Sequence, residues 1–137
     1  MRRRIGVLLD TNILLLIGDG VDVFSQIEEL LLTKPTYYVI KPVIEELEKL
    51  GRSRKPSLRR KARLALELAR RLCVVIEPPH ILPSVDDMIA ETALIHGLIV
   101  ATSDRELRRK LREKGVPEIY YREEKHMLEA AGIEAFL

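Results

Sequence analysis

A continuous apolar run that ends in three polar side chains is the feature that most constrains the fold. Residues 5–9 are apolar without alternation, and Asp10, Thr11 and Asn12 follow them directly. This pattern predicts a strand buried on both faces, as in a parallel sheet covered by helices, whose ligands bind outside the carboxyl ends of the strands. The sequence therefore predicts a site at Asp10. A purely structural interpretation, in which Thr11 or Asn12 caps the next helix, stays open at this point.

The composition indicates a single globular domain over residues 1–137. Hydrophobic residues make up 47% of the sequence, and no apolar run is long enough for a membrane span or a secretory signal, so we expect a cytoplasmic protein. One Asn and one Gln among 32% charged residues are typical of a protein from a thermophile. Because one of these rare amides, Asn12, stands beside Asp10, the composition favours a functional role for it.

Predicted strands and helices alternate along the chain. Apolar or β-branched runs predict strands at 5–9, 37–40, 73–76, 98–102 and 118–121, and helical periods fill most of the intervals. The apolar residues Met127, Leu128 and Ala131 predict a short last helix. This order predicts an α/β fold, a three-layer α/β/α sandwich around a five-stranded, mostly parallel sheet.

Three further acidic residues are expected at the same edge of the sheet as Asp10. Glu46 falls on the apolar stripe of its predicted helix and should turn inward, whereas its neighbour Glu45 faces solvent. Asp86 and Asp104 follow the third and fourth strands, and each shares a helical row with apolar residues. Because the carboxyl ends of parallel strands lie along one edge, we expect the four carboxylates to converge.

Such a cluster of carboxylates predicts a cation site. Two like charges about 4 Å apart repel by about 4 kcal/mol at an effective dielectric constant near 20, so the acids would hold protons or recruit a cation. An all-oxygen donor set suits Mg²⁺ or Mn²⁺, bound as one ion or two, and these ions activate water and hold phosphate oxygens. Since the sequence has no glycine-rich phosphate loop, a metal-dependent phosphodiesterase fits better than a nucleotide-binding protein.

Basic residues cluster in two stretches, although the net charge is only +2. They either form a solvated face paired with neighbouring acids or bind the phosphates of a nucleic acid. Tyrosines, the main candidates for base stacking, lie in predicted strands, which favours a core position for most of them. The candidate RNA-binding residues are Arg52, Arg54, Lys55, Arg59, Arg60, Arg105, Arg108 and Arg109.

Four acidic motifs, in order, resemble those of PIN-domain ribonucleases. They are Asp10-Thr11-Asn12, the stretch 43–51 around Glu46, Val85-Asp86-Asp87 and the stretch 100–109 around Asp104, followed by Gly115-Val116-Pro117. The resemblance covers nearly the whole chain, and it implies a Mg²⁺- or Mn²⁺-dependent endoribonuclease that forms a homodimer, as many members do. It assigns metal binding and catalysis to Asp10, Glu46, Asp86 and Asp104, with Asn12, Thr102 and Asp87 in supporting roles.

Two branches of this family stay open. The compact size resembles the VapC toxins of archaea and other organisms, which a small antitoxin holds inactive, and this is the favoured interpretation. The stretches 46–51 and 104–109 resemble PIN nucleases that process precursor ribosomal RNA. From another class, a non-catalytic RNA-binding module would not need the acids, all of which are present. A receiver or phosphatase fold is disfavoured, because the motif at Asp10 lacks a second acid two residues on.

Overall fold

Six strands and six α-helices lie along residues 4–137, which are the residues that this computed structural model describes. The strands are β1 (Gly6–Leu9), β2 (Thr36–Ile40), β3 (Cys73–Ile76), β4 (Ile99–Ala101), β5 (Glu118–Arg122) and β6 (Met127–Ala131). The helices are α1 (Thr11–Leu15), α2 (Val23–Leu31), α3 (Lys41–Leu50), α4 (Pro56–Leu72), α5 (Val85–His96) and α6 (Arg105–Glu113). Within the described residues, no helix is long and apolar enough to cross a lipid bilayer.

The strands form a single sheet in the order β3-β2-β1-β4-β5-β6, in which only β6 runs antiparallel to its neighbour. Because the order extends from β1 in both directions, right-handed crossovers place α1 to α4 on one face and α5 and α6 on the other. Contacts of α4 with α1 and α3, and of α5 with α6, agree with this division. The predicted three-layer sandwich is confirmed, and its strand order reverses between β1 and β4.

The two central strands carry the core. Every residue of β1 and of β4 is buried, as their continuous apolar sequences predict. At the edge of the sheet, Val74 and Val75 of β3 are 49% and 46% exposed. The strongest burial therefore lies at the switch in strand order, where doubly wound sheets bind their ligands.

The end of the chain differs from the prediction. The expected last helix through Met127, Leu128 and Ala131 is wrong, because Met127–Ala131 is strand β6, and the sheet therefore has six strands instead of five. Pairing with β5 sets Leu128 opposite Tyr121 and leaves Leu128 only 2% exposed. The Leu128 N–H also donates to Oε1 of Gln26 at 2.7 Å. Tertiary pairing thus outweighs the local helical preference of this segment.

Candidate active site

The four predicted acids line one cleft at the carboxyl edge of the sheet. Asp10 follows β1, Glu46 lies in α3, Asp86 lies in the first turn of α5, and Asp104 is the N-cap of α6. The cleft has a volume of about 260 Å³, and its lining consists of Asp10, Thr11, Asn12, Leu15, Glu46, Leu50, Val85, Asp86 and Asp104. Four separate segments of the chain thus bring carboxylates to one place.

Asp10 is the buried anchor of this cleft, with only 5% of its surface exposed. Its Oδ1 accepts a hydrogen bond from the Thr11 N–H at 2.7 Å, so Asp10 is itself the N-cap of α1. Its Oδ2 accepts hydrogen bonds from the Thr102 hydroxyl at 2.7 Å and from Nδ2 of Asn12 at 3.2 Å. The carboxylate therefore combines helix capping with a fixed orientation towards the cleft.

Burial and neighbouring charge act on the protonation of the cleft acids. Burial raises the pKa of Asp10 to about 6, although hydrogen bonds from Thr102 and Thr11 oppose the shift, and the nearby charges of Asp86 and Glu46 add to it. Burial and the charge of Asp104 likewise raise the pKa of Asp86. The acids are therefore close enough to repel one another, which is the condition that favours a bound cation.

The loop after β4 ties Asp10 to Asp104. The Asp104 N–H donates to Oγ1 of Thr102 at 3.1 Å, and Oδ1 of Asp104 accepts from the Leu107 N–H at 2.8 Å. The Ser103 N–H donates to Oδ1 of Asn12 at 3.0 Å. Ser103 thus holds the Asn12 side chain in place, a role that the sequence analysis did not predict. The Thr-Ser-Asp order at the end of a buried strand could have indicated it.

Glu46 lies at the cleft, but it is not buried as its helical position predicts. The apolar stripe of α3 buries Val43 and Leu47 completely, whereas Glu46 is exposed. The cleft is open to solvent, so this carboxylate needs no buried partner to balance its charge. A helical period gives the direction of a side chain and does not show whether water fills the space there.

Asp87 is turned away from the cleft lining. Its N–H donates to Oγ of Ser84 at 3.1 Å, which is the N-cap that the spacing of these two residues predicts. Its carboxylate accepts from Nζ of Lys110 at 2.8 Å, and this bond lowers the pKa of Asp87. Asp87 therefore joins α5 to α6, and any support that it gives the site is indirect.

The donor set of the cleft fits a hard divalent cation. All four candidate ligands are carboxylates. Thr11 also lines the cleft, and its Oγ1 is buried without a hydrogen-bond partner among the described residues. Within residues 4–137, no three Asp, Glu, His or Cys side chains stand close enough to enclose an ion. Carboxylate oxygens without His or Cys are the donors that Mg²⁺ takes in proteins, where it keeps several waters and binds one or two carboxylates together with substrate phosphate.

The basic candidates fall into two groups. Arg108 pairs with Glu118 at 2.7 Å, Arg109 pairs with Glu106 and Glu113, and Arg59 donates to the Ser53 carbonyl. In the part of the chain that the structure describes, the other candidates make no ion pair with an acidic side chain and are exposed. Three of them lie in the loop between α3 and α4, which directly follows Leu50 of the cleft lining in the chain. This second group is Arg52, Arg54, Lys55, Arg60 and Arg105.

Fold and site together define an α/β domain with a carboxylate cleft at the switch point of a parallel sheet. Residues 7–124 match the profile of the family described as "PIN like domain". The chain belongs to this family. Two curated relatives are Ribonuclease VapC9 of Archaeoglobus fulgidus, 32% identical over 87% of this chain and 84% of the relative, and Ribonuclease VapC4 of Methanocaldococcus jannaschii, 32% identical over 85% of this chain and 90% of the relative.

Two solved structures are similar to this chain as well. The PIN domain endonuclease Utp24 matches with a TM-score of 0.75 and 26% identity over 91% of this chain and 90% of that chain. VapBC2 from Rickettsia felis, solved with a DNA fragment from its promoter, matches with a TM-score of 0.58 and 17% identity over 77% of this chain and 92% of that chain. The second likeness shows the fold alone.

Proposed function

We propose that the chain is an endoribonuclease that uses Mg²⁺ or Mn²⁺ to hydrolyse RNA phosphodiester bonds in the acidic cleft. One observation carries the proposal: a buried Asp10, held by Thr11, Asn12 and Thr102, shares a cleft with Glu46, Asp86 and Asp104. Membership of the PIN family and two relatives named as ribonucleases support a nuclease. The proposed ligands of the ion are Asp10, Glu46, Asp86 and Asp104.

The proposed reaction is an in-line displacement at phosphorus. A bound divalent ion would supply an activated water and positive charge on the phosphate oxygens. The water oxygen would bond to phosphorus as the bond to the 3′ oxygen breaks. The water would lose one proton to solvent and the 3′ oxygen would take one from solvent, so that one product ends in a 3′-hydroxyl and the other begins with a 5′-phosphate. Thr102 and Asn12 hold the Asp10 carboxylate in one orientation, so that it is in place before the substrate binds.

Adjacent residues of α3 provide the test of this function. We expect Glu46→Gln to lose the Mn²⁺- and Mg²⁺-dependent cleavage of a labelled, mixed-sequence single-stranded RNA, because Glu46 lines the cleft. Glu45→Gln should cut as the wild type does, since that side chain is exposed and absent from the cleft lining. EDTA should stop all cutting. Cleavage that survives EDTA, or that the two variants lose equally, would contradict the proposal.

The exposed cations Arg52 and Arg54 should bind the phosphates of RNA. Replacing Arg52 and Arg54 with Ala should weaken the binding of single-stranded RNA and reduce the slope of log affinity against log salt by about 1.4, or about 0.7 for each lost phosphate contact. The matched control is Arg70→Ala with Arg109→Ala, since acidic side chains already hold both guanidinium groups at 2.8 to 2.9 Å. Equal salt slopes for the two double variants would overturn this assignment.

The biological role that we favour is that of a VapC-like toxin restrained by an antitoxin protein. Relatives with VapC names over most of the chain support it. Expression of the wild type, but not of Glu46→Gln, should then arrest growth of the host, and co-expression of the cognate antitoxin should restore it. The alternative, processing of precursor ribosomal RNA, predicts no arrest and selective cuts in a ribosomal precursor.

A homodimer is a further expectation from the family, and sedimentation equilibrium tests it.

A further inference from the structure

We propose that Tyr121 and His126 form a base-binding subsite beside the acidic cleft. The ligand is a nucleobase of single-stranded RNA, near the phosphate that is cleaved, which stacks on this pair of rings. The inference rests on the proposed nuclease function and extends it to substrate selection. Three observations support this inference: Tyr121 lies at the carboxyl end of β5, hydrogen bonds join its backbone to Asp10, and its hydroxyl contacts the His126 ring.

The position of Tyr121 follows from the sheet. Strand β5 runs parallel to β4 and hence to β1, so its carboxyl end lies at the same edge as the cleft. A series of hydrogen bonds joins the two places: the Tyr121 N–H donates to Oγ of Ser103 at 3.3 Å, the Ser103 N–H donates to Oδ1 of Asn12 at 3.0 Å, and Nδ2 of Asn12 donates to Oδ2 of Asp10 at 3.2 Å. The backbone of Tyr121 is therefore tied to the proposed catalytic acid.

The two rings are held together at the turn between β5 and β6. The Tyr121 hydroxyl lies 3.3 Å from Nδ1 of His126, and the structure leaves Tyr121 partly exposed and His126 exposed. His126 has a φ of 51°, in the left-handed region where glycine would cost less. When the hydroxyl donates to Nδ1, the neutral imidazole carries its proton on Nε2 and can donate to a base edge.

Tyr37 and Tyr120 do not offer such a surface. Tyr37 is 5% exposed, and its hydroxyl is bound to Glu28 at 2.8 Å. Tyr120 lies under the Arg108 guanidinium, which is 3.7 Å from the ring centroid. Stacking on an aromatic ring tolerates any base and contributes to affinity for single strands. A partly exposed pair of rings beside a phosphate-cleaving site therefore fits an unpaired nucleobase.

The test couples the ring to the base in one experiment. A single-stranded RNA that the wild type cuts at one position is prepared as a series. Each member of the series has one abasic nucleotide, at a different position around the cut. At one position the abasic change should lower kcat/KM of the wild type by roughly 5- to 100-fold. Tyr121→Leu should lose a similar factor on the intact RNA and nothing further at that abasic position. His126→Ala should show a smaller loss of the same pattern.

Met127→Ala is the matched control, since Met127 is 47% exposed and directly follows His126 at the start of β6. It should keep the wild-type abasic profile. The subsite would be overturned if the loss from Tyr121→Leu and the loss from the abasic change multiplied when combined. It would also be overturned if neither change affected kcat/KM. Either result would leave the proposed nuclease function intact. If the wild type cuts no RNA, the proposed function fails. Fluorescence anisotropy then measures the binding affinities for the same RNAs, and the subsite requires that Tyr121→Leu and the abasic change show the same lack of additional loss in affinity.

Discussion

Asp10→Asn should abolish the metal-dependent cleavage and, without metal, make the protein more stable near pH 8. Asp10 is 5% exposed, and burial raises its pKa from 3.8 to about 6. The difference between these two values corresponds to about 3 kcal/mol by which burial disfavours the charged form in the folded protein. Asn keeps the shape and removes the charge, although it accepts fewer hydrogen bonds than a carboxylate. We therefore expect a gain of about 1–3 kcal/mol in the free energy of unfolding.

The pH dependence of this gain follows from the direction of the shift. Because the folded state has the higher pKa, the native chain holds the Asp10 proton more tightly than the unfolded chain does. Its contribution to stability is complete below about pH 4 and is lost as the pH rises through about 6. The difference between variant and wild type should therefore grow between these two values and stay constant above them.

Urea unfolding in EDTA at several pH values measures this difference. The control is Asp22→Asn, which changes an exposed aspartate that also caps a helix, since its Oδ1 accepts a hydrogen bond from the Ser25 N–H. Mn²⁺ should then raise the melting temperature of the wild type and not that of Asp10→Asn, since binding to the native state alone stabilises it. If the difference in unfolding free energy between Asp10→Asn and the wild type is the same at pH 4 and pH 8, the prediction of a destabilising buried charge at Asp10 is wrong.

The position of the site was predictable because it depends on local sequence. Asp10 and Asp104 each follow a strand whose unbroken apolar run shows that both faces are buried, and parallel strands end at one edge. Ser84 and its neighbours likewise carry their own capping signal. In such places the residues that decide the structure are adjacent in the chain.

Strand β6 was not predictable in this way. Leu, Ala, Glu and Met in Met127–Ala131 all favour helices, and the hydrogen bonds that select a strand come from β5 and from Gln26. The turn also requires His126 in the left-handed region, which no glycine in the sequence signals. Pairing partners that are set by the tertiary fold therefore decided this segment.

The basic residues show the same limit at the level of side chains. A run of Arg and Lys predicts positive charge, but the acids that neutralise it can lie elsewhere in the chain. Arg108 is bound by Glu118, ten residues away on a different element. Whether an arginine stabilises the fold through an ion pair or binds a ligand thus depends on contacts between secondary-structure elements.

Arg108→Ala should destabilise the protein by about 3–5 kcal/mol, because it leaves a buried carboxylate without its main partner. Glu118 is 1% exposed, and its Oε1 accepts from Nε of Arg108 at 2.7 Å, while the next cation, Arg112, is 3.6 Å away. The other oxygen, Oε2, is buried without a partner among the described residues. Equilibrium unfolding in urea at neutral pH measures the loss.

Two comparisons distinguish this ion pair from an RNA contact. Arg109→Ala removes an exposed guanidinium from the same helix and should cost no more than about 1 kcal/mol. Adding Glu118→Gln to Arg108→Ala should recover part of the lost stability, since it removes the stranded charge. An Arg108→Ala variant that unfolds at the wild-type urea concentration but binds RNA with a smaller salt slope would instead make Arg108 a phosphate contact. Stability and salt dependence report on different partners, so each result assigns this guanidinium to one of them.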